Sequence, residues 1–192
     1  MSRDDAERMR RWQAGDPVAF ADLVARWQQP VARFLTRLVG PDRTADLCQE
    51  VFLRVLQNGS RYRETGYFST WLFQIALNVA RDAGRRRFRQ SRDRTRAADT
   101  DAPAPLRSRL CAPDEVCERQ ELARAVEVAV AELPRPLREV LALRHDRGMN
   151  FEEMARVLGT PASTLKSRFA TALSRLRRRL CELGYSPEES TS

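Results

Sequence analysis

Apolar residues recur at three- and four-residue spacing along most of this chain, and no run alternates apolar with polar over the length of a strand. That period predicts helices. A helix over about 4–13 is expected to pack loosely. Asp16 and Pro17 then supply a capping side chain and a preset φ, and the stripe Phe20, Leu23, Val24, Trp27, Val31, Phe34, Leu35 and Leu38 runs to a stop at Gly40 and Pro41. A helix over about 42–57 turns Leu47, Val51, Val55 and Leu56 inward. It leaves Asp46, Gln49, Glu50 and Arg54 outward, with Phe52 and Leu53 on the flank. Ser69 or Thr70 can cap another helix, reaching about Arg87, whose core face is Leu72, Ile75, Ala76, Val79 and Ala83. The period then fails through a stretch rich in Arg, Ala and Pro. It returns over 115–132, with Val116, Leu122, Ala123, Val126, Val130 and Leu133 expected inside, and again over about 137–145. The expected fold is therefore all-α: two small helical domains, 1–88 and 114–192, joined by a flexible basic linker, 89–113. The tail after Tyr185 is polar and expected to be disordered.

The last strong pattern is FEEMARVLGTPASTLKSRFATALSRLRRRL, residues 151–180. Gly159 suits the left-handed cap of a first short helix, and Pro161 cannot continue it. Ser163 or Thr164 can cap a second helix, whose apolar face is Leu165, Phe169, Ala172, Leu173, Leu176 and Leu180. Ala155 is small enough for two axes to cross closely. Lys166, Ser167, Arg168, Thr171, Arg175 and Arg178 occupy the other face. This is the outline of a helix-turn-helix that presents donors and positive charge to a major groove. An amphipathic hairpin with a solvated charged face has the same outline.

Charge adds to this picture. The net charge is +8 and the pI about 10.3, which favours a polyanionic partner. Lys166 is the single lysine, and the remaining basic residues are arginines. Arginine forks suit phosphate and guanine, but a GC-rich genome would enrich arginine equally. No apolar run approaches the roughly 20 residues that cross a bilayer, and the first residues lack a signal-peptide core. No membrane insertion and a cytoplasmic location are therefore expected. Cys48, Cys111, Cys117 and Cys181 form no C-x-x-C pair, and His145 is the single histidine. No metal site, disulfide framework or catalytic acid–base pair is expected, and Cys111 with Cys117 leaves a redox pair open. With no nucleotide-binding Gly-rich loop either, an enzyme, a cofactor and a small-molecule substrate are all disfavoured.

Two more stretches carry contact chemistry. Residues 58–69 interleave Arg61 and Arg63 with Tyr62, Tyr67 and Phe68, as a pocket for single-stranded bases would, although a surface loop with buried aromatics reads the same way. On the following helix Gln74, Asn78, Arg81 and Arg85 share one stripe. Asn78 could read a base edge while the arginines hold phosphates.

Together these segments resemble a bacterial RNA polymerase sigma factor of the extracytoplasmic-function (ECF) type. The likeness rests on GDPVAFADLV, ADLCQEVFLRV and FSTWLFQIALNVARDAGRRR in the first half. In the second half it rests on LPRPLREVLALR and FEEMARVLGTPASTLKSR. The resemblance implies a promoter-specificity subunit that binds core RNA polymerase, at the β′ clamp helices and the β flap, and promoter DNA. An anti-sigma partner is usual in the family. Residues 1–88 would be sigma region 2 and 114–192 sigma region 4. Asp46, Gln49, Glu50, Phe52 and Arg54 match the face that docks on the polymerase. Arg61, Tyr62, Arg63, Tyr67, Phe68, Trp71, Asn78, Arg81, Arg85 and Arg86 match the residues that capture and melt the minus-10 element. Thr164, Lys166, Ser167, Arg168, Ala170, Thr171 and Arg175 fall where the family reads the minus-35 element. The linker would occupy the RNA exit path. Thr171 and Leu173 replace arginines of many relatives, Gly66 and Tyr67 give the capture loop its own composition, and Cys48 is read as packing. The competing readings are a helix-turn-helix regulator that binds an operator without polymerase, and a protein-binding helical adaptor with an incidental basic surface.

Overall fold

The computed structural model describes residues 3–63, 67–94 and 115–185, and these are helical with no strand. Among the described residues eight α-helices follow one another: α1 Arg3–Gln13, α2 Pro17–Val39, α3 Thr44–Asn58, α4 Phe68–Arg94, α5 Glu115–Ala131, α6 Arg135–Arg147, α7 Phe151–Leu158 and α8 Ala162–Glu182. One-turn 3₁₀ segments, Pro41–Arg43 and Gly59–Arg61, lead into and out of α3. Most of the expected linker, the C-terminal tail, Gly66 and the Cys111–Cys117 pairing lie outside the described residues.

The central helix is α2. The Asp16 carboxylate accepts from the amides of Val18 and Ala19 at 2.9 and 3.3 Å. Such bonds satisfy donors that a helix start leaves orphaned. The helix continues through Pro30 and buries Trp27, Val31, Phe34 and Leu35. Phe73 of α4 meets Phe34 edge-on at 5.1 Å and Trp27 at 6.1 Å. Aromatic pairs at such distances and tilts add to plain area burial.

The first helix is docked, where the sequence suggests loose packing. Met9 is fully buried and Trp12 stacks against Phe20 at 4.9 Å. The Gln13 amide donates to the carbonyls of Gly59 and Tyr62 at 2.7 and 3.1 Å. Gly59 makes this possible, because a Cβ there would lie 1.8 Å from the Trp12 ring. Gly59→Ala should therefore unseat α1. Overpacking of this kind costs about 1–3 kcal/mol, so the melting temperature should fall by several degrees and α1 should become open to proteolysis. An alanine at Gly84 is the control: its Cβ would meet the flexible end of Arg135 at 3.0 Å, and the melting temperature should hardly move.

Helix starts differ from the expectation at two places, α8 and α4. Helix α8 begins at Ala162 with Pro161 before it, so Ser163 and Thr164 lie inside its first turn and cap nothing. Pro161 serves because its φ is preset and it has no amide to satisfy. Helix α4 starts at Phe68, which places Ser69 and Thr70 within the helix, both buried. Helix α7 carries a reciprocal capping box: Asn150 Oδ1 accepts from the Glu153 amide at 2.8 Å, and Glu153 Oε2 accepts from the Asn150 amide at 2.9 Å. Among the residues of α5 whose side chains are described, 120–131, only the C-terminal part is packed, and Val116 lies outside them. Leu122 and Ala123, expected inside, are exposed, while Ala129 is buried.

The two halves share one core. Helix α6 packs on α2, and α7 packs on α4. Val140, Leu143, Met149, Met154 and Val157 from the second half join Trp27, Phe34, Leu72 and Phe73 from the first in one continuous apolar cluster. Leu133, Leu137, Leu141 and Ala172 form a smaller cluster of their own beneath α8.

Candidate protein- and nucleic-acid-binding surfaces

The outward face of α3 begins with Asp46 and Gln49, both exposed. Glu50 and Arg54 stand one turn apart and pair at 2.5 Å, each about 30% exposed. Arg54 also reaches across to α4, donating from both terminal nitrogens to Asp82 Oδ2 at 3.2 Å, and Asp82 Oδ1 accepts from Arg85. Burial alone would raise the Asp82 pKa, but the bonds from Arg85 and Arg54 outweigh it and hold the carboxyl below its usual value.

Beside these charges an apolar groove runs between α2 and α3, lined by Phe20, Val24, Cys48, Phe52, Leu53 and Leu56 among others. Leu53 is 56% and Leu56 48% exposed. The sequence pattern places Leu56 inside, and the structure corrects this. The buried stripe is Leu47, Val51 and Val55, and Leu56 stands one residue, about 100°, off that stripe. Burial pushes the Cys48 thiol upward, as suits a packing residue that does not ionise at neutral pH.

The aromatics after α3 divide by depth. Tyr62 and Phe68 are buried and form a cluster with half-buried Trp71, at ring separations of 5.0 to 6.0 Å. Neither offers a free face to a base in this structure. Their place is beneath the loop, where the apolar rings gain more from the core than from water. Tyr67, 47% exposed, is the aromatic that faces out, and Arg61 and Arg63 are exposed near it. Along α4, Gln74, Asn78, Arg85 and Arg86 face solvent.

Arg81 has a partner from the other half. It donates to both carboxylate oxygens of Glu139 on α6, at 2.7 and 3.2 Å. Arg135 donates to the same carboxylate at 3.0 Å, and Glu139 is only 5% exposed. The far end of the Arg135 side chain lies over Gly84 of α4. At the other end of the contact Arg37 donates to Nδ1 of His145 at 3.1 Å, so His145 is a contact residue between the halves.

In the second half Leu165 and Ala172 anchor α8 against α7 and α6, with both side chains fully buried. That rotation leaves Thr164, Lys166, Ser167, Ala170, Thr171 and Arg175 exposed and Arg168 partly so. The Lys166 ammonium sits over the Phe151 ring at 5.9 Å, and Phe151 meets Phe169 edge-on at 6.0 Å. The Thr171 hydroxyl turns back to the Ser167 carbonyl at 2.9 Å.

Residues 23–90 match the model of Sigma-70 region 2, and residues 123–176 match that of Sigma-70 region 4. The chain is 32% identical over 172 residues to the ECF RNA polymerase sigma-E factor of Haemophilus influenzae, covering 88% of this chain and 90% of that one. This chain belongs to the ECF RNA polymerase sigma factor family. It is 31% identical to the sigma-E factor of Escherichia coli K12, over 84% of this chain and 86% of that one. Two solved structures share the fold. One is CnrH in complex with the cytosolic domain of CnrY, with a TM-score of 0.67 at 24% identity, covering 93% of this chain and 98% of that one. The other is the sigma factor RpoE of Bartonella quintana in complex with the anti-sigma factor NepR, with a TM-score of 0.68 at 21% identity, covering 84% and 96%. An ECF sigma factor is a non-enzymatic subunit that binds core RNA polymerase and directs it to promoter DNA. No described helix is long and apolar enough to cross a membrane.

Proposed function

We propose that this sigma factor docks on core polymerase through α3 and reads its promoter through α4 and α8. Residues 1–88 act as region 2 and 114–192 as region 4, in the cytoplasm. One observation supports this most: a single chain carries an exposed acidic and apolar face on α3 and, on separate helices, two exposed basic and polar faces, with arginines and amides on α4 and with Lys166, Arg175 and hydroxyls on α8. Asp46, Gln49, Glu50, Phe52 and Arg54 meet the β′ clamp helices, and the second half meets the β flap. Tyr67, Arg61 and Arg63 handle the minus-10 bases, with Tyr62, Phe68 and Trp71 supporting the loop from below. Asn78, Arg81, Arg85 and Arg86 follow the upstream duplex. Thr164, Lys166, Ser167, Arg168, Ala170, Thr171 and Arg175 face the minus-35 element. The groove between α2 and α3 suits an apolar helix of an anti-sigma partner.

In the closed arrangement Glu139 holds Arg81, so reading both elements requires the halves to part. Docking on core then fixes them at the promoter spacing, and two weak contacts become one strong one through effective concentration. Flipping a base costs a few kcal/mol, which capture in the loop offsets.

Run-off transcription with bacterial core polymerase on a pool of fragments tests the whole. Discrete starts that need both proteins are expected, and specific shifts by the protein alone without such starts would favour an independent regulator. Phe52→Ala should weaken competition for core by about thirtyfold, since a buried aromatic anchor at an interface is worth about 2 kcal/mol. Glu50→Ala should act in the same direction and less strongly. Unchanged competition by both would remove the docking face from α3.

A further inference from the structure

Asp82 has no role in the surfaces above, yet it touches two of them. Its Oδ2 accepts from Arg54 of the α3 docking face, which also holds Glu50, and its Oδ1 accepts from Arg85 of the α4 stripe. One carboxylate is thus divided between an arginine assigned to polymerase and an arginine assigned to DNA. The two shares differ in kind. Arg54 is about 29% exposed and fixed at both ends, by Glu50 and Asp82, so its position depends on them. Arg85 is 64% exposed, so a phosphate can take it from Asp82 without any change in the fold.

We propose that Asp82 is a positioning residue that couples the two surfaces, holding Arg54 in place for the polymerase while restraining Arg85 from DNA until a promoter phosphate displaces it. The proposal rests on the assignment of Arg54 and Arg85 made above. When phosphate takes Arg85, the whole carboxylate is left to Arg54, and the docking face has its anchor in full. The linkage is reciprocal, so whatever strengthens the Arg54 pairing also loosens Arg85.

A simple clasp between α3 and α4 would behave differently. Losing a clasp harms both surfaces, whereas losing a coupling residue moves them in opposite directions. Asp82→Asn keeps the shape and removes the charge. In the full chain it should weaken competition for core polymerase by about two- to fivefold, the range for partly exposed ion pairs. It should raise the affinity of the free chain for a short DNA duplex by a similar factor. The log–log salt slope should hardly change, because Arg85 reaches a phosphate in both complexes and only the cost of taking it from Asp82 is removed. Arg54→Ala should lower core affinity and Arg85→Ala duplex affinity. If neither does, the surfaces are misassigned and the coupling falls with them. If both do, and Asp82→Asn moves the two affinities in the same direction or moves neither, the coupling alone is overturned.

Discussion

Glu139→Gln should open the molecule. Glu139 is buried between Arg81 and Arg135 and ties α4 to α6. The substitution keeps the shape but leaves two arginines facing one neutral amide. Removing one member of a fully buried ion pair costs about 3–5 kcal/mol. Arg81 and Arg135 are each about a third exposed, so solvent screens part of that loss, and about 1–2 kcal/mol is a fair expectation. The closed–open equilibrium should then shift by about five- to thirtyfold. Small-angle scattering of the free variant should show a larger radius of gyration. Its affinity for duplex DNA should rise, since Arg81 is released and a negative charge is gone. Competition for core should not weaken, because the α3 face is untouched. An unchanged scattering profile together with unchanged DNA affinity would mean that the apolar contacts of Val140, Leu143, Met149 and Met154 hold the halves together alone.

That contact shows where reading the sequence stops. The apolar stripes of α2, α4, α7 and α8 are legible because their periods are unbroken, and their ends are marked by Asp16 and Pro17, Gly40, and Gly159. A stripe says that a face is covered but not by what. Met154 and Val157 could close a small second domain or pack on the first, and they do the latter. A composition break between residues 86 and 113 reads as separation, yet it puts no limit on how the flanking halves meet. The docking of α1 is hidden for another reason. It depends on Gly59 lying beneath Trp12, a juxtaposition of residues distant in sequence that no local period records. The capping box on α7 is the opposite case, since Asn150 and Glu153 stand at the required spacing and the signal is local.

The candidate surfaces are legible to a similar degree. Residues on long helices fall where their spacing places them: Asp46 and Gln49 on α3, Asn78 and Arg85 on α4, and Lys166 and Ser167 on α8 are all outward. The aromatic loop is not, because composition alone leaves open which rings go inside. Tyr62 and Phe68 go to the core and Tyr67 does not. Asp82 is inconspicuous in the sequence for a related reason. An acid among arginines on a solvated stripe looks like ordinary charge balance until Arg54 of another helix is seen to share it.

Lys166→Ala should separate promoter reading from polymerase binding. Lys166 is the single lysine, it is exposed on the first turns of α8, and its ammonium is steadied over Phe151. Contact with a phosphate alone would be lost evenly on all sequences. A base contact in the major groove discriminates by about 1–3 kcal/mol, so its loss should reduce use of the cognate promoter by about 5- to 150-fold. The deficit should shrink on a template whose minus-35 element has been replaced, because the contact is already missing there. Competition for core polymerase should stay at the wild-type level, since α3 and its groove lie on another helix pair. Lys166→Arg is the sharper comparison. A phosphate contact tolerates that exchange, whereas a base-edge contact made by a compact ammonium does not transfer to a planar fork without a shift in preference. Loss of core affinity equal to the loss of transcription in Lys166→Ala would remove α8 from promoter reading and place it in polymerase docking.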